Sequence, residues 1–232
     1  MAQRQIQLKR LEPEELASFY MTAKERVISA GFASEIDWQS DAVSTDWGET
    51  TFLREAAWVV LSSGFRESVV RERFPDLSAA FLHWINAAAI MDEREACRSS
   101  ALLAFGNRRK IDAILRIVRQ VACQGIEVIR EGIFDRGTQF IQELPFMGPV
   151  TSCHLAKNLG VSIVKPDRHL SRLAARTGYD SADQMCRTIA DIVADTLPVI
   201  DIVFWRYATI SDSCDADFAS VLAIDGDRSE AA

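Results

Sequence analysis

Cysteine is scarce and scattered. The five are Cys97, Cys123, Cys153, Cys186 and Cys214, an odd number, and no two form a CxxC pair. That spacing argues against a zinc knuckle or an iron–sulfur loop, so no metal ligands are expected. Reduced thiols packed as small apolar groups fit better. No apolar run approaches the roughly 18 residues of a membrane span, so no membrane partner is expected. The opening stretch "MAQRQIQLKRLEPEEL" is charged and lacks the apolar core of a secretory leader, which makes the expected location cytoplasmic. Strand patterns are missing too. Val and Ile recur at helical spacing beside Ala, Leu, Arg and Glu, so the expected fold class is all-α. An excess of basic residues is also absent: the net charge is −7, which taken alone argues against nucleic acid.

What is present is ordinary for a globular protein: 232 residues, 48% apolar and 25% charged. That length suffices for one large domain or two small lobes around a core. Charge distribution matters more than its sum. Acid collects in residues 12–15, 35–49 and 211–230, whereas "GNRRKIDAILRIVRQ" and "VKPDRHLSRLAAR" in the middle are basic.

Pattern and punctuation predict helices over 12–30, 50–62, 66–73, 76–88 and 92–104, with a polar loop over 33–48 and a break at Pro75. Residues 107–122 are clearer. Ile111, Ile114, Leu115 and Val118 mark one face, Arg108, Arg109 and Lys110 form a basic patch, and Asn107 suits an N-cap. Further helices are expected at 136–143, 149–159, 168–177 (stopped by Gly178), 181–195 and 197–210, with a frayed tail beyond about 222.

The stretch "LPFMGPVTSCHLAKNLGVSIVKPDRHLSRL" (144–173) is the most informative. A tight Pro/Gly turn between two short helices aims backbone N–H groups outward at a helix N-terminus, which suits a DNA phosphate. Thr151 and Ser152 add hydroxyls, and Lys157 lies further along. Asp167, after Pro166 and before a helix, is a good N-cap.

In order and spacing, this stretch resembles the helix-hairpin-helix and Pro/Asp signature of the HhH-GPD DNA glycosylase superfamily, which includes endonuclease III and the alkylpurine and 8-oxoguanine glycosylases. The likeness extends upstream through "FLREAAWVVLSSGFRESVVRERFPDL" (52–77) and "FGNRRKIDAILRIVRQV" (105–121). It implies a two-lobe helical fold: a barrel lobe over about 51–165 carrying the hairpin, a second lobe of about 1–50 plus 166–222, and a tail at 223–232.

The resemblance implies a monomer acting on double-stranded DNA that carries a damaged or modified base, with purine slightly favoured. Asp167 takes the place of the family's essential aspartate, and Phe146, Met147, Gly148, Val150 and Thr151 form the DNA-binding hairpin. Arg168, His169, Arg108, Arg109 and Lys110 are further DNA contacts, and no cofactor is implied beyond a monovalent cation on hairpin carbonyls. The later helix implies a base pocket of Asp201, Phe204, Trp205 and Tyr207, with core packing as the competing role for its aromatics. Ser63, Phe65 and Arg66 are candidates to fill the gap left by a flipped base.

Two positions depart from the family. Phe146 stands where glycine is common, and Val150 stands where bifunctional members carry the Schiff-base lysine. The expected activity is therefore monofunctional base excision. The alternatives are strand cleavage through a lysine outside the motif position, Lys157 or Lys165, and a non-catalytic DNA-binding helical protein.

Overall fold

The structure, a computed structural model, describes residues 10–41 and 47–210. Cys214, the acidic stretch 211–230 and the expected frayed end lie outside the described residues. The described residues are all-helical, without strands. In chain order the helices are α1 (Pro13–Val27), α2 (Ala33–Asp41), α3 (Glu49–Ser62), α4 (Glu67–Ala80), α5 (Ala87–Asp92), α6 (Arg94–Ala104) and α7 (Arg108–Gln124). There follow α8 (Ile126–Arg136), α9 (Thr138–Gln142), α10 (Pro149–Asn158), α11 (Arg168–Arg176), α12 (Ala182–Ala190) and α13 (Leu197–Ile210). None is long and apolar enough to cross a membrane.

Contacts divide the chain into two compact units. The first joins the residues up to Asp41 to those from Ser162 onward; the second is residues 42–161. The first unit is built on α1 against α13. Phe19 stacks on Phe204 at 5.7 Å, Tyr20 meets Phe204 edge-on at 5.5 Å, and Tyr207 meets Phe19 edge-on at 5.8 Å. Polar ties flank these rings. The Tyr20 hydroxyl donates to Asp195 at 2.6 Å, Lys24 pairs with the same carboxylate at 2.6 Å, and burial pushes the Tyr20 phenol well up.

The second unit is organised by α7, whose Ile111, Ala113, Ile114, Ile117, Val118 and Val121 are buried as its periodicity requires. A buried polar pair joins α3 to α10: the Asn158 amide donates to Glu55 at 2.9 Å. Burial pushes the Glu55 carboxyl up, against the lowering effect of Arg54 and Asn158.

The structure corrects several expectations: the expected helix 76–88 is broken after Ala80, where Leu82, His83 and Trp84 take positive φ, and α8 forms where none was expected. Residues 33–41 form α2 rather than a loop, because Ile36 and Gln39 are buried and Glu35 accepts a two-bond ion pair from Arg206 at 2.6 and 2.9 Å. Helix α4 runs through Pro75. The ring removes one hydrogen bond at a typical cost of about 3 kcal/mol, yet Val70 and Leu77 are buried on either side of it, and Phe74 meets Trp58 at 5.1 Å and Trp84 at 6.2 Å. Helix α12 ends at Ala190, not 195, and Asp195 beyond it engages Tyr20 and Lys24.

Gly178 stops α11 as expected. Its φ is +80°, and a Cβ there would lie 2.5 Å from the Arg10 Cα. Leu11 N–H bonds the Thr177 carbonyl at 3.0 Å beside it. Gly178→Ala therefore meets backbone as well as an unfavourable φ. It should destabilise the first unit by about 2 kcal/mol or more, read as a lowered urea midpoint.

Candidate functional site

The segment before α11 is pinned from two sides. The Lys165 N–H donates at 2.6 Å to Asp201, a carboxylate 1% exposed on α13. The Asp167 N–H turns back onto the Lys165 carbonyl at 2.8 Å, around Pro166. Asp167 then caps α11: its Oδ1 accepts the N–H groups of His169 at 2.8 Å and Leu170 at 3.2 Å. These are orphan donors of a helix start, where a negative charge is favoured. The helix is anchored by buried Leu170, Leu173 and Ala174. The other oxygen, Oδ2, lies 3.4 Å from the Lys165 ammonium. The side chains are 13% and 16% exposed, so the carboxylate is held rigidly but not sealed. The Lys165 ammonium also lies 5.5 Å from the Trp205 ring.

This geometry re-sorts the expected base pocket. Asp201 is a tether for Lys165 rather than a free hydrogen-bonding group. Phe204 and Tyr207 are core, spent on Phe19 and Tyr20, as the competing role had it. Trp205 is the one member left partly exposed, beside Lys165 and Arg206.

Arg168 and Arg172 are exposed. His169 is half-buried, and burial lowers its pKa; Asp167 opposes that while Arg168, Arg172 and Lys165 reinforce it. A neutral ring fits its contact, because Nε2 accepts from Arg168 Nε at 3.3 Å.

The hairpin has its own geometry. The Met147 N–H bonds the Leu144 carbonyl at 3.1 Å, and its side chain is 4% exposed. Gly148 N–H donates to the Thr151 hydroxyl at 2.7 Å, and that hydroxyl faces the Phe146 and Gly148 carbonyls, each at 3.2 Å. Ser152 is buried, with its hydroxyl on the Pro149 carbonyl at 3.0 Å, and Lys157 is 3% exposed. The expected donors Met147, Ser152 and Lys157 are thus buried, and the Thr151 hydroxyl is engaged by the turn's own backbone. Gly148 has no side chain with which to cap α10, and Pro149 has no N–H. The outward first-turn donors are therefore the N–H groups of Val150 and Thr151. Phe146 adopts φ +65°, where glycine would sit at a cost lower by about 1 kcal/mol.

The basic patch is smaller than its sequence. Arg108 and Arg109 are exposed, but Lys110 is 4% exposed and does not face solvent. Its ammonium donates to the carbonyls of Val60, Leu61 (3.3 Å) and Ser63 (2.6 Å), which closes the C-terminal end of α3. Burial pushes it down to about 8. The same ammonium lies 5.3 Å from the Phe65 ring and 5.4 Å from the Phe146 ring. Sequence reasoning missed this cap, as it missed the Glu55–Asn158 pair. The available signal for the pair was a polar residue inside the apolar run "TTFLREAAWVVLS".

Two outcomes test these assignments. Lys110→Met leaves buried carbonyls without donors and should cost about 2 kcal/mol, read by urea unfolding. The His169 imidazole should titrate below 6.5 by NMR. Its folded pKa lies under its unfolded one, so the unfolded chain binds more protons in that window. Its contribution to stability is complete above pH 6.5 and is lost as pH falls through the folded pKa. Compared with protein-family models, curated proteins and solved structures, the chain shows no match.

Proposed function

We propose that this chain is a monofunctional DNA N-glycosylase of the HhH-GPD type, acting in base excision repair on double-stranded DNA with a damaged or modified base. The observation that carries this is the state of Asp167: a nearly buried carboxylate fixed by two N–H groups at a helix start. Cleaving an N-glycosidic bond builds positive charge on the sugar. A fixed carboxylate beside C1′ stabilises that cation and orients or deprotonates the attacking water. The hairpin would hold a phosphate through the Val150 and Thr151 N–H groups, and Arg108, Arg109 and Arg168 are exposed cations elsewhere in the chain. A monovalent cation at the hairpin would share the Leu144, Phe146 and Gly148 carbonyls with donors already on them. Glycosidic hydrolysis needs no resident metal.

Val150 offers no amine at the motif position, which supports release of the base with the strand left intact. One distance favours a second version: Lys165 lies 3.4 Å from Asp167, and its amine would form an imine with the aldehyde of an abasic site. Borohydride trapping separates the two. Hydrolysis alone gives no protein–DNA adduct, whereas the lysine version gives one that Lys165→Gln removes.

Asp167→Asn keeps an oxygen on the cap while removing the charge. On a panel of lesion duplexes, followed by alkali, it should lower base release about 100-fold or more while leaving folding and DNA affinity near those of the parent. Unchanged release would reject Asp167 as the group that carries the reaction, and a parent that binds the duplexes but releases no base would be a DNA-binding module instead.

A further inference from the structure

Two aromatic rings stand exposed on the second unit in separate turns, and both rest on one buried charge. Phe65 follows the end of α3 and is 42% exposed; Phe146 lies in the hairpin and is 36% exposed. Each ring centroid lies within 5.4 Å of the Lys110 ammonium. Phe65 is braced further by buried Phe105 at 5.1 Å. Arg66, Arg108 and Arg109, next to these residues in the chain, are exposed.

Phe146 is the telling residue. Its φ of +65° is a conformation that a side chain disfavours and glycine accepts. Burial does not account for the phenyl group, since a third of it faces solvent. Strain held at an exposed position points to use of that side chain. Exposed rings with cations around them fit a partner that offers flat π-faces on a chain of negative charge.

We infer that Phe65 and Phe146, positioned by the Lys110 ammonium, form a stacking site for a nucleobase left unpaired in DNA. This rests on the proposal that the chain binds DNA and adds the side chains that take the base. Lys110 is a positioning residue here. Its carbonyl bonds hold the turn that leads to Phe65, and its charge holds both rings.

The test uses the full chain and two duplexes of one sequence carrying 2-aminopurine. In one the probe is paired with thymine; in the other it faces an abasic site. Anisotropy of an end label gives affinity, and 2-aminopurine emission reports stacking. Wild type should quench the unpaired probe. Phe146→Gly suits the backbone of its turn and should match or exceed the parental unfolding midpoint. Phe65→Leu keeps an apolar contact for Phe105. Both variants should lose affinity for the unpaired duplex about tenfold further than for the paired one, with quenching reduced. Equal losses on both duplexes, or none, would overturn the stacking site. Wild-type binding without quenching would overturn it while leaving DNA binding in place. Failure of wild type to bind either duplex would overturn both.

Discussion

A helix leaves four N–H groups without partners at one end and four carbonyls at the other. In a chain built almost wholly of helices, where those groups go decides which charged side chains are free to act. Charged residues are drawn into that task at several helix ends, and two of them lie in the regions of interest here. Lys110 closes the C-terminal carbonyls of α3, and Asp167 closes the first N–H groups of α11. Asp201 serves a backbone N–H outside any helix, that of Lys165, and so fixes the approach to the Asp167 cap. Each charge is satisfied by backbone, and each backbone group holds the charge in one place.

The consequence differs between the two capping residues. Lys110 is 4% exposed and spends its donors inside the protein, so it acts on its surroundings through position. Asp167 spends one oxygen on the cap and keeps the other against an exchangeable side-chain partner, Lys165. An ion pair to a lysine ammonium can be remade when a new positive charge appears beside it, whereas the cap bonds cannot follow without unwinding α11. In the proposed reaction, capping and chemistry would be complementary demands on Asp167: the N–H groups aim the carboxylate, and a developing sugar cation would displace the ammonium.

Much of this was legible in the sequence, for identifiable reasons. The Pro–Asp pair before "RHLSRL" announces a cap, Gly178 announces a stop, and the apolar spacing in 107–122 announces the buried face of α7. Those signals are local, and local chemistry decides them. The misreadings share the opposite character. A lysine in the first turn of a helix is ordinarily solvated, and nothing in residues 107–110 says that carbonyls from Val60 to Ser63 wait for it. Pro75 breaks a helix in isolation, but not one held by Val70, Leu77 and Phe74. The competing roles of the expected pocket residues, three aromatics and Asp201, turn on the same kind of distant partner. Phe204 and Tyr207 have the composition of a base site, but Phe19 and Tyr20, nearly two hundred residues earlier in the chain, already occupy their faces.

Phe146 shows how a departure from pattern can be informative in itself. The hairpin requires a left-handed residue between Pro145 and Met147, and glycine is the economical choice. A phenylalanine there keeps the turn only if other interactions offset its strain of about 1 kcal/mol. The Met147 and Gly148 hydrogen bonds close the turn, and the Lys110 ammonium supplies an attraction to the ring itself. A cation beside a partly exposed ring contributes about 0.5–1 kcal/mol, comparable to the strain and no larger. The fold thus gains little from this ring, which is the condition under which a binding surface, rather than packing, gives the residue its reason.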